Sequence, residues 1–177
     1  MLPYPAPPLG GENLLLRPFE AADFAAALEL QHDPAVAQWV PPLPGADGAA
    51  VVAFYEQCRR EGTLLHLVIA DPTTGAYLGE TMLALGEHGV AETGCCIVPS
   101  ARGRGIATEA IVLVTDWAFA GLGLGRVQVF VAPENIAALR LAASAGFERE
   151  GVLRSYWEIG GKRVDAVILA RVPRAVV

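Results

Sequence analysis

The sequence predicts one mixed α/β (α+β) domain, and three observations lead there. Runs of β-type residues at 64–70, 77–85 and 90–98 succeed one another across short turns, the pattern of an antiparallel meander. After Pro99 and a glycine-rich turn, the apolar period lengthens to that of a helix. The 177 residues, 53% of them hydrophobic, suit one core of ordinary size and leave no room for a second catalytic domain.

Residues 1–11 hold four prolines, with no basic start and no apolar h-region, and read as a flexible arm ahead of a domain spanning 12–177. Leu14-Leu15-Leu16 followed by Arg17-Pro18 is a short first strand at a sheet edge or end. Phe24, Ala27, Leu28 and Leu30 recur at helical spacing within 21–31, and Asp33-Pro34 stops that helix. The proline-rich stretch 41–48 is a loop bordering a substrate entrance, and 49–61 is a second helix closed by Gly62. Asp71-Pro72-Thr73-Thr74-Gly75 and Gly86-Glu87-His88-Gly89 are the turns of the meander. Ala107, Ala110, Ile111, Val114, Trp117 and Ala118 mark one face of a helix ending near Gly121. A β-branched strand at 126–132, a helix at 135–145 closed by Gly146 and a last strand at 164–172 complete the chain.

The formal net charge of −6 has the wrong sign for general affinity to DNA or RNA, so no nucleic-acid partner is expected. No stretch of about 18 consecutive apolar residues occurs, which predicts no membrane span and a soluble, cytoplasmic protein. Cys58, Cys95 and Cys96 show no metal-ligand spacing and read as reduced, mostly buried thiols, so no metal is expected.

Against this acidic background, two arginines among glycines stand out in Arg102-Gly103-Arg104-Gly105. A helix N-terminus presents unpaired N–H groups and the positive end of the helix dipole, which favour phosphate oxygens. Gly103, Gly105, Ile106, Ala107 and Thr108 can offer amides there, and Arg102 and Arg104 add charge. The bland alternative is a tight strand-to-helix connection with two solvated arginines. A dinucleotide fingerprint fits less well, because meander strands precede the turn and the next strand, 126–132, contains no acid. A Walker-type Gly-Lys-Ser/Thr ending is absent.

Arg102-Gly103-Arg104-Gly105-Ile106-Ala107 fits the cofactor signature Arg/Gln-x-x-Gly-x-Gly/Ala of the GNAT superfamily of acyl-CoA N-acyltransferases, which the chain resembles. The wider order of residues is similar to the RimJ/RimL-like branch that acetylates protein N-termini. It comprises Leu16-Arg17-Pro18-Phe19-Glu20 with Asp23, Ala91-Glu92-Thr93-Gly94, Ala107-Thr108-Glu109-Ala110, Asn135, Gly146-Phe147, Glu150-Gly151-Val152-Leu153-Arg154 and Asp165. The resemblance covers roughly residues 12 to 172. It implies a mixed, mostly antiparallel central sheet with helices on both faces, splayed at the strand before the pyrophosphate turn. The pantetheine arm of acetyl-CoA would lie in that gap and meet amides near Ile97 and Val98. A hydrogen bond from Asn135 to the cofactor arm is also implied, and a homodimer by analogy. From local sequence alone, Asn135 reads equally well as a helix N-cap.

Acetyl transfer to an amine needs a group that takes a proton from the ammonium before nitrogen attacks the thioester. In a strand of period two, Glu92, Gly94, Cys96 and Val98 share a face, and Glu92 is the favoured base. A strand-end carboxylate or salt bridge is the structural alternative, and Glu80 on the preceding strand competes for the role. Glu109 reads as a first-turn helix residue. A main-chain N–H at the splay is the simplest oxyanion donor. Many relatives carry a tyrosine four residues before the Gly-Phe pair, where this chain has Ala142; Ser144 and Tyr156 are candidate replacements, with solvent the default proton donor to the thiolate. An acyl-enzyme on Cys95 or Cys96 lacks a histidine partner nearby in sequence. Trp39, Tyr55 and Trp157 are candidates for the acceptor wall, and Asp33, Asp47 or Glu56 for attracting a cationic acceptor.

The expected function is transfer of an acetyl group from acetyl-CoA to a primary amine in a ternary complex. The acceptor could be a peptide N-terminus, a polyamine, an aminoglycoside or a small metabolite. A non-catalytic acyl-CoA sensor and a nicotinamide oxidoreductase are the competing readings.

Overall fold

A computed structural model describes residues 1–40 and 42–173. Seven strands form one sheet: β1 (Leu15–Arg17), β2 (Leu64–Ala70), β3 (Tyr77–Leu85), β4 (Val90–Ile97), β5 (Arg126–Val131), β6 (Glu148–Ile159) and β7 (Lys162–Arg171). Their spatial order is β1-β2-β3-β4-β5-β7-β6, and every neighbouring pair is antiparallel except β4–β5. A parallel pair needs a long crossover. Here it is helix α4 (Ile106–Leu122), whose buried Ile106, Ala110, Ile111, Val114 and Ala118 follow the helical period and seat it on the sheet.

α4 and α5 (Ile136–Ser144) cover one face, against Leu65, Leu67, Ile69, Leu83, Val127 and Val129. Alternation turns the other residues of these strands to the opposite face. There α1 (Phe24–Gln31) and α3 (Gly48–Glu61) pack through Ala27 and Val51 on Val68, Ala70 and Phe19. Burying each large aliphatic side chain here contributes about 1.5–3 kcal/mol. Because β2 is covered on both sides, it reads as a nearly continuous apolar run broken by His66.

The Arg17-to-Asp23 stretch is scaffolding rather than chemistry. Arg17 donates to both oxygens of Asp23 at 2.7 and 2.8 Å, and Asp23 accepts the Glu20 N–H at 2.8 Å, which fixes the entry into α1.

Three expectations change. The 148–159 segment, given no element by pattern, is the 12-residue β6. It pairs only with β7, so most of its side chains are exposed and no clean apolar alternation marks it. Asp33-Pro34 ends α1 but also begins a short helix, α2 (Pro34–Ala37), capped when Asp33 accepts the Ala35 N–H. Residues 1–11 are no loose arm: the Leu2 N–H donates to Arg59 O at 2.8 Å, Arg59 returns a bond to Leu2 O at 2.7 Å, and Tyr4 binds Glu56 beneath the Arg59 guanidinium.

Candidate active site

β4 and β5 pair only at Val90↔Arg126, Ala91↔Val127 and Glu92↔Gln128, although both strands run on. Beyond Glu92 they part, and a cavity of about 990 Å³ opens with both strands in its walls. The Val98 N–H donates to Leu78 O of the β3 side at 2.9 Å. Successive strand amides point in opposite directions, and the β3–β4 register is regular from Ile97 back to Ala91. The N–H groups of Ile97 and Cys95 therefore face the gap, while that of Val98 is already engaged. The expectation is of amides near Ile97 and Val98; the two that face the gap are those of Ile97 and Cys95, which counting back by two from Ile97 would have found.

The glycine-rich turn closes the same end. Gly103 and Gly105 hold φ of 73° and 77°, the left-handed region that favours glycine, and nothing lies within 4 Å of where a Cβ would stand on either. Gly105 precedes α4 without a side-chain cap, and the first helical bond is from the Glu109 N–H to Gly105 O. The amides of Ile106, Ala107 and Thr108 thus have no carbonyl of their own helix to meet. Open space, uncapped amides and the positive helix end fit a pyrophosphate. The two arginines divide. Arg104 is exposed, and its charge helps hold the Asp71 carboxyl below its ordinary range after hydrogen bonds from Thr74 and Thr73. Arg102 turns back, donating to Ile97 O at 3.1 Å and to Asp33 at 2.7 Å, so it braces β4 and the α1–α2 corner.

On the face opposite α4, the register aligns Ala84 with Glu92, Met82 with Gly94 and Glu80 with Cys96. Glu92 stands at the vertex of the splay and lines the cavity, and burial holds its carboxyl above the ordinary carboxylate range. Gly94 leaves the floor beside it without a side chain. Trp39, Tyr55, Phe130 and Trp157 supply aromatic walls. Glu80 lines the same cavity with its Oε2 2.8 Å from His66 Nε2. The period-two pattern of β2 and β3 would have put these two on one face.

Asn135 lies on the cavity wall, and its Oδ1 accepts the Ala138 N–H at 3.1 Å to cap α5. Ala142, where the resemblance led to the expectation of a tyrosine, is buried in the cavity wall. Ser144 ends α5 in an exposed position and is not in the cavity wall, and Tyr156 stacks on Phe130 at 5.0 Å with 44% exposure. Neither is brought to the splay. Burial pushes the Cys95 thiol up to about 12 and raises Cys96 as well, aided by Glu80, so neither is a ready nucleophile. Asp47 caps α3, and Glu56 is bound by Arg59 and Tyr4. Glu109 accepts the Glu12 N–H at 2.6 Å. These acids serve structure. Among the described residues no group of three metal-ligating side chains converges, and no helix is long and apolar enough to cross a membrane.

The family model of the acetyltransferase (GNAT) domain matches residues 13–148, well over half the chain. The chain belongs to the GNAT family. An N-acetyltransferase of Bacillus licheniformis, p20, is 27% identical over 92% of this chain and 94% of its own. The spermidine N(1)-acetyltransferase of Escherichia coli is 26% identical over 88% of this chain and 83% of its own. The structure of Mycobacterium smegmatis RimJ in complex with CoA-disulfide superposes with a TM-score of 0.78 at 27% identity, covering 90% of this chain and 81% of that one. As a GNAT protein the chain is an acetyl-CoA-dependent acetyltransferase, and the open, mostly antiparallel sheet described above is the GNAT fold.

Proposed function

We propose that this GNAT protein acetylates a primary amine, a peptide N-terminus or a small cationic amine, by direct attack within a ternary complex. The observation that carries this is the half-buried Glu92 at the vertex of the splay. Acetyl-CoA supplies an activated acetyl carbonyl when bound. The uncapped turn Arg102 to Thr108 grips its diphosphate, and the Ile97 and Cys95 amides bind along the gap, with the Cys95 N–H holding the oxyanion. Glu92 removes the ammonium proton, a task for which a carboxyl raised by burial is better matched than an ordinary one. Ala142 provides no hydroxyl, so the thiolate takes its proton from solvent.

Three carboxylates, Glu80, Glu92 and Glu158, line the cavity together with aromatic side chains, and no Lys or Arg does among the described residues. That lining favours a cationic acceptor over an anionic one. The matched E. coli relative acts on spermidine, which is such an amine. Mixing the protein with acetyl-CoA and a panel of N-terminal peptides and amines, with free thiol as readout, tests the proposal. Acceptor-dependent thiol release that Glu92→Gln suppresses is expected. A flat response to every acceptor, alike in wild type and Glu92→Gln, overturns it.

A further inference from the structure

We infer that Glu80, with His66 at its side, is a second cation-binding position in the acceptor half, and that the acceptor is an amine carrying a second positively charged group. The inference rests on the amine-acetylating reading of the cleft. Both residues line the cavity, Glu80 on β3 beside β4 and His66 on β2 one strand further out, and both project on the same sheet face as Glu92. Their side chains are 7% and 9% exposed.

The pair is close but incomplete. Glu80 Oε2 and His66 Nε2 approach to 2.8 Å, yet Glu80 Oε2 has no hydrogen bond of acceptable angle, Glu80 Oε1 is met only by the Cys96 thiol at 4.0 Å, and His66 Nδ1 has no hydrogen-bond partner among the described residues. The imidazole cannot easily swing to improve this. It stacks flat on Tyr55, with ring centres 3.8 Å apart and planes 5° from parallel, and Phe19 packs edge-on at 6.0 Å. A buried carboxylate ordinarily has its lone pairs satisfied. Glu80 faces the cavity, from which a donor can arrive, and no Lys or Arg in the described lining supplies one.

Glu80 and Glu92 do not share one ammonium. Glu80 pairs with Cys96, four strand positions from Glu92, so their backbones stand roughly 13 Å apart along the sheet. With Glu92 serving the reacting nitrogen, Glu80 is left for a second charge on the same molecule.

The test compares α,ω-diaminoalkanes of graded length with the n-alkylamines of the same length. Calorimetry against the protein loaded with CoA gives Kd without turnover, and thiol release gives KM and kcat. At one chain length the diamine should bind at least about tenfold more tightly than its matched monoamine. Glu80→Gln should bring the diamine-to-monoamine ratio of Kd to about one, with a larger loss for the diamine than for the monoamine, and stabilisation by acetyl-CoA certifies the fold of the variant. Equal affinity for diamine and monoamine at every length in wild type overturns the inference, and so does a Glu80→Gln variant that loses kcat with both amines, since Glu80 would then be the base. Failure of every amine to release thiol sinks the acetyl-transfer reading, whereas equal turnover of mono- and diamines sinks the second cation site alone.

Discussion

The two halves of the cleft are built by different means. The proposed donor half is main chain: left-handed glycines at 103 and 105, an uncapped helix start and two strand amides, all within residues 95–108. The proposed acceptor half is side chains drawn from the α2–α3 connection, α3, β2, β3, β5 and β6, including Trp39, Tyr55, His66, Glu80, Phe130 and Trp157. Backbone groups have fixed chemistry, so one short segment can define a cofactor grip. Side chains gathered from six elements can each be exchanged without disturbing that grip. One scaffold can therefore keep its donor while changing its acceptor.

Substitutions on each side should separate the halves, and the largest effect belongs to the vertex between them. Glu92→Gln should lower kcat by about 10²–10⁴ while leaving acetyl-CoA binding intact, read as thiol release against the thermal shift given by acetyl-CoA. The wild-type rate should rise with pH through a midpoint above the ordinary 4.5, because burial raises this carboxyl. The native state holds the proton more tightly than the unfolded chain, so the stabilising contribution is full at low pH and lost as pH rises through the raised value. Glu92→Gln should accordingly melt higher than wild type near neutrality, with the two curves converging in acid; a constant gap across pH would contradict the raised pKa.

Gly79→Ala comes next. A Cβ there would run into the Cys96 carbonyl oxygen, and the φ of 154° already disfavours side chains. The cost should be about 2–3 kcal/mol of stability, measured by urea unfolding, because neither backbone can move without breaking the β3–β4 ladder under the acceptor floor. Gly105→Ala should cost only about 1–2 kcal/mol, since space is open and the left-handed backbone is the whole obstacle. That cost should appear in the donor half alone, as a roughly tenfold weaker Kd for acetyl-CoA with acceptor KM unchanged. Asn135→Ala is the smallest, about 1 kcal/mol for a lost cap. If acetyl-CoA binding weakens beyond the change in stability, Asn135 also touches the cofactor arm; if binding is unmoved, it is a cap only.

The amino-acid sequence by itself determined β2 and β3 to the residue, the glycine stops at Gly62 and Gly146, and the glycine-rich turn that opens α4, because each is a local matter of period, φ or helix polarity. Even β6 left a local trace in Gly160-Gly161, which hold φ of 57° and 74° where Ile159 pairs with Lys162, a two-residue hairpin signal between alternating runs. The tertiary structure alone decided that Arg102 braces Asp33 instead of pointing into the turn, that Val98 spends its amide on Leu78, and that Ser144 is turned away from the gap. It also brought His66 to Glu80 and placed Glu92 where β4 leaves β5. Such facts depend on which strand lies beside which and where two strands part, and separations of 14 to 69 residues along the chain carry no local periodicity from which to read them.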